Sequence, residues 1–233
     1  MHLLRCTITL HDSVYYATRE LGTLYETGQY LHNYALSYAL FNDSHLQVAY
    51  FCDSYQPGYA EDLARLNAAQ IYVTPALPLQ VDLLLATWKI GQVSYYRRTE
   101  QFGGRNYPAN IGRAKELAPG SVFVCYVISA AALRLPRWIR LGKWHSKAEV
   151  TVEALPVEQR TGPFVAAAPL NPLDLLPGVA QVFDIVSMPP NSLITHAQCV
   201  GAHYVVGAGG LPVEMRYRVP ELPTVARRAR RQA

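Results

Sequence analysis

The sequence VFVCYVI, at residues 122–128, is central to the predicted fold. It is an unbroken run of β-branched, aromatic and other apolar side chains, which is typical of a buried strand. Even when it is extended to residue 133, the apolar run has only about half the length of a membrane-spanning helix, so no membrane span is predicted. Residues 3–10 alternate apolar and polar side chains and predict a first strand. A sheet is therefore the predicted centre of the fold.

The remaining patterns predict few helices and more strands, an α+β fold with a strand-rich C-terminal part. Apolar residues at helical spacing over residues 26–41, with Tyr30, Tyr34 and Tyr38 as a packing stripe, predict an amphipathic helix. A short second helix is predicted over residues 60–66. Further strands are predicted at residues 80–90, 138–155 and 179–187, and a closing hairpin at residues 204–206 and 213–217.

The strands at residues 80–90 and 122–128 enclose a polar segment that contains glycine and many basic residues. Two long strands joined by a flexible basic tip would form a protruding hairpin, a shape suited to gripping a polymer. The sequence therefore predicts a hairpin "thumb" over residues 80–128.

Composition predicts a folded protein, because half of the 233 residues are hydrophobic and 16% are charged. The net charge of +4 is modest, but it is unevenly distributed. Residues 1–88 carry a balance of −5, residues 89–147 carry +9, and the rest is neutral. Such a cationic block indicates an anionic partner. The alternative is a solvated basic face without a ligand.

Four cysteines, Cys6, Cys52, Cys125 and Cys199, are far apart and include no C-x-x-C pair. They are interpreted as reduced structural thiols, so neither a metal nor a disulfide is expected, and no cofactor is implied. The N-terminus has no continuous apolar segment and no small-residue cleavage site. A cytoplasmic location is therefore expected.

Aromatic residues alternate with the cations of the block, among them Tyr95, Tyr96, Tyr107, Trp138 and Trp144. Unpaired bases stack on flat rings while guanidinium and ammonium groups hold phosphates, so the combination favours single-stranded nucleic acid. The alternative for the two tryptophans is that they belong to the core and that only the cations are outside.

Basic residues recur at every third position from Arg134 to Lys143, where Pro136 and Gly142 disfavour a regular helix. A bent, extended segment would bring Lys143, Ser146 and Lys147 together as a phosphate-holding cluster.

Residues 207–210 form a glycine cluster that lacks the Lys-Ser/Thr ending of a P-loop, so nucleotide triphosphate binding is not expected. The cluster would let backbone amides approach a phosphate, or would serve only as a tight hairpin turn. The basic tail, residues 222–233, is expected to be disordered and to add non-specific attraction to nucleic acid.

His145 is the only histidine within the basic block. Metal-independent RNA cleavage needs a general base and a cation beside the developing phosphorane, and Lys143 and Lys147 flank this histidine. A catalytic His145 therefore remains an alternative to a histidine that only contacts RNA or is simply exposed.

Several stretches resemble a known family, the type I-D CRISPR subunits of the Cas5 group, also called Csc1. They span about two-thirds of the chain, and the order and spacing of several of them argue against a chance match. They read HD at 11–12, RELG at 19–22, YLHNYAL at 30–36, IYVTPA at 71–76, GRAKELAP at 112–119, IRLGKW at 139–144 and SKAE at 146–149.

This resemblance implies a single RRM-like, ferredoxin-type antiparallel sheet domain over residues 1–233 with the basic thumb inserted. It also implies a non-catalytic subunit that caps the foot of the surveillance complex. Such a subunit binds the 5′ handle of the guide RNA and contacts the backbone-forming and large subunits near target DNA at the adjacent-motif reading site. A metal-independent endoribonuclease that processes repeat RNA stays the alternative, because type I-C relatives cut RNA.

The positions expected at the RNA combine the basic block with the resemblance. They are Arg97, Arg98, Arg105, Arg113, Lys115, Arg137, Arg140, Lys143, Trp144, His145, Lys147, Gly209 and Gly210.

Overall fold

The computed structural model describes residues 1–48, 58–89 and 111–219. Within these ranges the chain is mostly antiparallel sheet with two α-helices. The strands are β1 (His2–Leu10), β2 (Arg19–Leu21), β3 (Leu24–Glu26), β4 (Ile71–Val73), β5 (Leu77–Gln80), β6 (Leu83–Lys89), β7 (Ile111–Leu117), β8 (Val122–Ser129), β9 (Trp138–Leu141), β10 (Ser146–Leu155), β11 (Gln159–Val165), β12 (Ala180–Val186), β13 (Leu193–Val206) and β14 (Gly209–Pro212). The helices are α1 (Asn33–Phe41) and α2 (Tyr59–Ala68).

A six-stranded central sheet has the order β4-β8-β1-β10-β9, and β5 also pairs with β8. Strand β8 is buried along nearly its whole length, as its apolar sequence predicts. Strand β1 lies beside it, with Cys6 directly opposite Cys125, and confirms the strand predicted at residues 3–10. These cysteines and Cys199 are buried and unbridged, whereas Cys52 lies outside the described residues.

Both helices pack on the central sheet and bury apolar side chains such as Leu36 and Leu63. The helix predicted over residues 26–41 is shorter than expected, because residues up to Glu26 belong to strand β3. Helix α1 begins only after His32, whose side chain accepts a hydrogen bond from the Tyr34 N–H and caps the first turn. A π-helical turn, Asn42–Leu46, follows α1. The second predicted helix is confirmed as α2.

A lateral sheet of four strands has the order β2-β3-β7-β6. Strand β6 pairs antiparallel with β7, so the prediction that residues 80–90 pair with residues 122–128 is wrong. Strand β8 is buried on both faces and takes β1, β4 and β5 as neighbours, which leaves β7 as the partner of β6. The tip of the predicted thumb, with Arg97, Arg98 and Arg105, lies outside the described residues.

A C-terminal sheet is formed by β11, β13 and β12, with β14 also paired to β13. The closing hairpin therefore differs from the predicted one, since β13 returns through Gly207 and Ala208 directly into β14. Residues 213–217 form no strand. Met215 and Tyr217 of that segment are buried instead, and the Tyr217 hydroxyl lies 2.6 Å from Ser37 Oγ.

One hydrophobic core cluster includes residues of both the central and the C-terminal sheets, for example Ile8, Leu170 and Leu211. No helix in the described part of the chain is long and apolar enough to cross a membrane.

Candidate nucleic-acid interface

Strands β9 and β10 form a hairpin at the edge of the central sheet, which we call the basic hairpin (residues 138–155). Ile139 and Leu141 are buried, while Trp138 and Arg140 of the same strand are exposed, as the two-residue period of a strand requires. Arg140 is paired opposite Lys147 across the hairpin. The pairing thus places cations next to one another on its surface.

The turn of the basic hairpin, residues 142–145, is fixed by the segment that follows β1. Gly142 has φ +70°, and a Cβ on it would lie 2.7 Å from the Tyr15 carbonyl oxygen, so a side chain does not fit. The same carbonyl accepts a hydrogen bond of 2.8 Å from the Lys143 N–H. His145 also has a left-handed backbone, with φ +53°. This turn is therefore held in a defined shape.

Both tryptophans of the basic hairpin are at the surface, so the alternative that they belong to the core is wrong. Trp144 is 54% exposed and lies against the Tyr15 ring, with the ring centroids 4.9 Å apart. Trp138 is 40% exposed, and the Lys147 ammonium lies 3.8 Å from its ring centroid, in cation–π contact. Rings and cations thus share one surface, as the sequence predicted.

The cations of the basic hairpin differ in how far they are neutralised. Arg137 forms an ion pair of 2.8 Å with Glu149, and its hydrogen bond lowers the pKa of that carboxyl group. Arg140 donates a hydrogen bond of 3.1 Å to the His145 carbonyl oxygen and so braces the turn. Among the described residues no carboxylate forms an ion pair with Arg140, Lys143 or Lys147. These three are the cations available to an anionic ligand.

The predicted cluster of Lys143, Ser146 and Lys147 is wrong in one member. Ser146 is buried, and its hydroxyl donates to the Ser13 carbonyl oxygen at 2.5 Å. It therefore ties the basic hairpin to the segment after β1 instead of facing a phosphate. Asp12 acts similarly, since its side chain accepts a hydrogen bond of 2.8 Å from the Lys147 N–H.

A groove with a volume of about 520 Å³ separates the basic hairpin from α1 and the π-helical turn. Arg140, His145 and Lys147 line one side, and Tyr38 and Asn42 line the other. His145 thus faces the same groove as two cations. The cations along one wall of the groove could neutralise the phosphates of a sugar–phosphate backbone.

Arg113 and Lys115 lie on β7 of the lateral sheet, not on the basic hairpin. Arg113 is exposed, whereas Lys115 lies 3.5 Å from a carboxylate oxygen of Glu26. Tyr15 stands between the two regions: burial raises its pKa, as do the nearby Tyr25, Glu20 and Glu116. The described basic residues among the predicted binding positions therefore fall on two separate sheets.

Gly209 and Gly210 lie in strand β14 and not in the hairpin turn. A Cβ on Gly209 would lie 2.7 Å from the Val165 carbonyl oxygen, and one on Gly210 would lie 2.6 Å from the His203 ring. Both glycines are thus required for close packing within the C-terminal sheet.

The nearby turn at Gly207 borders a cavity of about 680 Å³ that is also lined by Arg5 and Glu153. Glu153 is six residues along β10 from Lys147, about 20 Å at the rise of a strand. The glycine cluster therefore lies far from the turn of the basic hairpin.

Sequence reasoning missed the residues that support the basic hairpin. Tyr15, which stacks under Trp144 and anchors the turn through its carbonyl, lies in a turn-like stretch with no motif of its own. His11, whose ring centroid is 5.0 Å from that of Trp138, was quoted only as part of the family resemblance. No sequence signal connects these positions to residues more than a hundred places later.

Comparison with known proteins gives one family. The sequence matches the family described as "Type I-D CRISPR-associated protein Cas5/Csc1" over residues 1–220. No curated protein matches the chain.

Three solved structures are similar to this chain at 11% sequence identity each. A chain of a type III-B Cmr-beta complex, determined by cryo-electron microscopy with cognate target RNA and AMPPnP, has a TM-score of 0.49 over 84% of this chain and 86% of its own. A CRISPR protein from Archaeoglobus fulgidus has a TM-score of 0.42 over 90% and 98%. A chain of a type IV-B CRISPR complex has 0.34 over 65% and 90%. The family match spans nearly the whole chain, and the chain belongs to the type I-D CRISPR-associated Cas5/Csc1 family.

Proposed function

We propose that this protein is a non-catalytic subunit of a type I-D CRISPR surveillance complex in the cytoplasm, and that it holds the 5′ handle of the guide RNA on the basic hairpin. The observation that carries the proposal is the surface where Arg140, Lys143 and Lys147 have no carboxylate partner in the described part of the chain and Trp144 is exposed beside them. Family membership supplies the RNA class, since members of the group act in such complexes.

The proposed domain is ferredoxin-like. The order β10-β1-β8-β4, with α1 and α2 connecting β1 to β4, is consistent with the split βαβ arrangement. Strand β9 takes the place of a helix between β8 and β10. In the proposed complex β6 and β7 are the arms of the thumb, and Arg113 points from it toward RNA or target DNA near the backbone-forming and large subunits.

A salt titration of handle-RNA binding tests this proposal. Each single-strand phosphate that a cation neutralises contributes about −0.7 to the slope of log K against log salt concentration. Replacing Arg140, Lys143 and Lys147 together by alanine is expected to make the slope less steep by about 2. Arg113→Ala is expected to weaken binding separately.

Two matched control variants each remove a cation that already has a carboxylate partner. Arg137→Ala lies on the same hairpin but removes a cation that Glu149 already neutralises, so a smaller change is expected. Arg160→Ala removes a cation paired with Glu158 on β11, and no change is expected. Equal slopes for wild type and the triple variant would refute RNA binding at the basic hairpin.

The alternative function is metal-independent cleavage of repeat RNA by His145. The observation that favours it is the groove that His145 shares with Arg140 and Lys147, where a base and two cations would face one phosphate. Incubating the purified protein with repeat RNA in chelator distinguishes the two. Uncut RNA is expected, and site-specific cleavage that disappears in His145→Ala would establish the enzyme instead.

A further inference from the structure

A second cavity lies behind the groove, between α1, the turn of the basic hairpin and residues 188–190. Its volume is about 180 Å³, well below the about 300 to 1,000 Å³ of pockets for drug-sized ligands. The walls include the rings of Tyr16, Tyr34, Tyr38 and Tyr59 together with Pro189 and His32. We call it the tyrosine cavity. It has room for one flat ring system.

His32 supplies the polar group of the tyrosine cavity. Its side chain is buried, and its Nδ1 accepts the 3.2 Å hydrogen bond from the Tyr34 N–H that caps α1. Burial lowers the pKa of His32 to about 4, against an opposing contribution from the Asn191 backbone, so the ring is neutral and Nε2 carries the proton. Within the described parts of the chain Nε2 has no hydrogen-bond partner of ordinary geometry.

An unpaired buried N–H group is unfavourable unless a ligand accepts from it. Three of the four tyrosine hydroxyl groups have carbonyl or carboxylate acceptors: that of Tyr16 donates to Gly28 at 2.9 Å, that of Tyr34 to Arg218 at 3.3 Å and that of Tyr38 to Asp62 at 2.7 Å. The cavity therefore offers flat aromatic walls and a donor from His32. A planar ring with an acceptor at its edge fits this chemistry.

The tyrosine cavity is adjacent to the groove, since Ala35, Tyr38, Leu141 and Gly142 line both. The groove carries Arg140 and Lys147 just outside. A ligand that reaches both spaces would place an anionic group on the cations and a ring between the tyrosines. A nucleotide of a single strand has this combination.

We propose that the tyrosine cavity receives one unstacked base of the single-stranded RNA bound to the basic hairpin, with an acceptor of the base facing His32 Nε2 and its phosphate at Arg140 and Lys147. The inference rests on the proposed function and deepens it. Under this proposal the protein recognises one base at one position of the RNA, in addition to binding the RNA backbone.

Removal of single bases tests the proposal. The full chain is titrated with single-stranded repeat RNAs of about ten nucleotides, each with an abasic ribose at a different position. One position is expected to lose about tenfold in affinity, and the others to change little, because each abasic ribose keeps its phosphate.

Ala35→Trp provides the blocking variant, since this exposed residue of α1 lines both the cavity and the groove. It is expected to abolish the loss at the sensitive position while leaving the salt dependence in place. Ala64→Trp, at an exposed position of α2, is the matched control and should bind as wild type does. His32→Asn keeps a capping oxygen for α1 but has no Nε2–H, so it should reduce the tenfold loss to about threefold without unfolding the helix.

Each other outcome overturns the inference. Salt-dependent binding without any base-sensitive position would support the proposed function but would show that no base occupies the tyrosine cavity. A sensitive position that persists in Ala35→Trp would place the base elsewhere. If Ala35→Trp instead loses the neighbouring subunits in co-purification and keeps the base pattern, the occupant is a protein side chain. No salt-dependent RNA binding by the wild type would overturn both proposals.

Discussion

Asp174→Asn is expected to remove the loss of stability that Asp174 causes as the pH rises from about 4 to about 6. Asp174 lies in a 3-10 turn, Pro172–Asp174, and is fully buried between α1, β4 and the C-terminal segment. Its carboxylate accepts hydrogen bonds of 2.9 Å each from Asn33, the Tyr72 hydroxyl and the Arg218 N–H. Burial raises its pKa from 3.8 to about 6, although these hydrogen bonds oppose the rise.

The direction in which Asp174 changes stability with pH follows from its pKa in the folded and unfolded states. The folded pKa is the higher one, so the folded state binds the proton more tightly. The contribution of Asp174 to stability is therefore fully present below about pH 4 and is lost as the pH rises through about 6. A pKa difference of about 2 corresponds to about 3 kcal/mol in the free energy of unfolding. Asparagine is neutral at every pH and avoids this loss.

Urea unfolding followed by tryptophan fluorescence, from pH 3.5 to pH 7.5, measures the effect. The free energy of unfolding of the variant minus that of the wild type should rise by about 3 kcal/mol across this range, because other titrating groups such as His32 contribute equally to both proteins. At pH 7 the variant should equal or exceed the wild type by up to about 2 kcal/mol, after about 1 kcal/mol for weaker hydrogen bonds. Asp43→Asn, at an exposed position, is the control and should keep the wild-type profile. Parallel profiles for wild type and Asp174→Asn, or a variant that is 3 kcal/mol less stable at pH 7, would refute the reasoning.

Gly142→Ala is expected to lower the free energy of unfolding by about 2 kcal/mol more than Gly178→Ala, measured by thermal or urea denaturation. Both residues have a left-handed backbone, but only at Gly142 would the new Cβ lie 2.7 Å from the Tyr15 carbonyl oxygen, so equal losses would contradict the packing argument. Cys6 and Cys125 are expected to resist a thiol reagent in the folded protein and to react on unfolding, because a hydrogen bond with Cys6 and burial raise the pKa of Cys125. Rapid labelling of the native protein would contradict this.

Strands were predictable from the sequence, but their partners were less so. The first strand and β8 are visible as local patterns, because a strand needs only the right alternation or an apolar run. The partner of β6 depends on which strand has a free edge after the core has formed. Strand β8 is buried on both faces and already has neighbours on both sides, and this is a property of the whole sheet.

The C-terminal sheet shows how packing overrides local preference. Residues 213–217 have a strand-like composition, yet Tyr217 turns inward, where its hydroxyl contacts Ser37 and accepts a hydrogen bond from the Val73 N–H. Gly209 and Gly210 are poor strand formers but form β14, because Val165 and His203 of the neighbouring strands are too close for a side chain at either position. Glycine patterns alone could not distinguish this strand from a turn.

The candidate site was predictable in its chemistry and not in its geometry. The cations and the rings of the basic hairpin are evident from the sequence between residues 137 and 147, whereas the exposure of the rings is not. The cavity behind them is not, because the helical spacing of Tyr34 and Tyr38 indicates only packing. Tyr34 is indeed buried, yet its ring also forms a wall beside the unpaired Nε2 of His32.

The charge balance of a sequence segment also differs from the charge that its surface presents in the folded protein. The basic block of residues 89–147 is densely cationic in sequence, but among its described members two have carboxylate partners from outside the block. Lys115 is paired with Glu26 and Arg137 with Glu149. Ligand binding draws on the cations that remain unpaired, so the count of basic residues overstates the electrostatic contribution. Three cations of the basic hairpin have no carboxylate partner among the described residues and lie beside exposed rings and a groove. For this reason we expect the hairpin to bind an aromatic polyanion more tightly than a simple one.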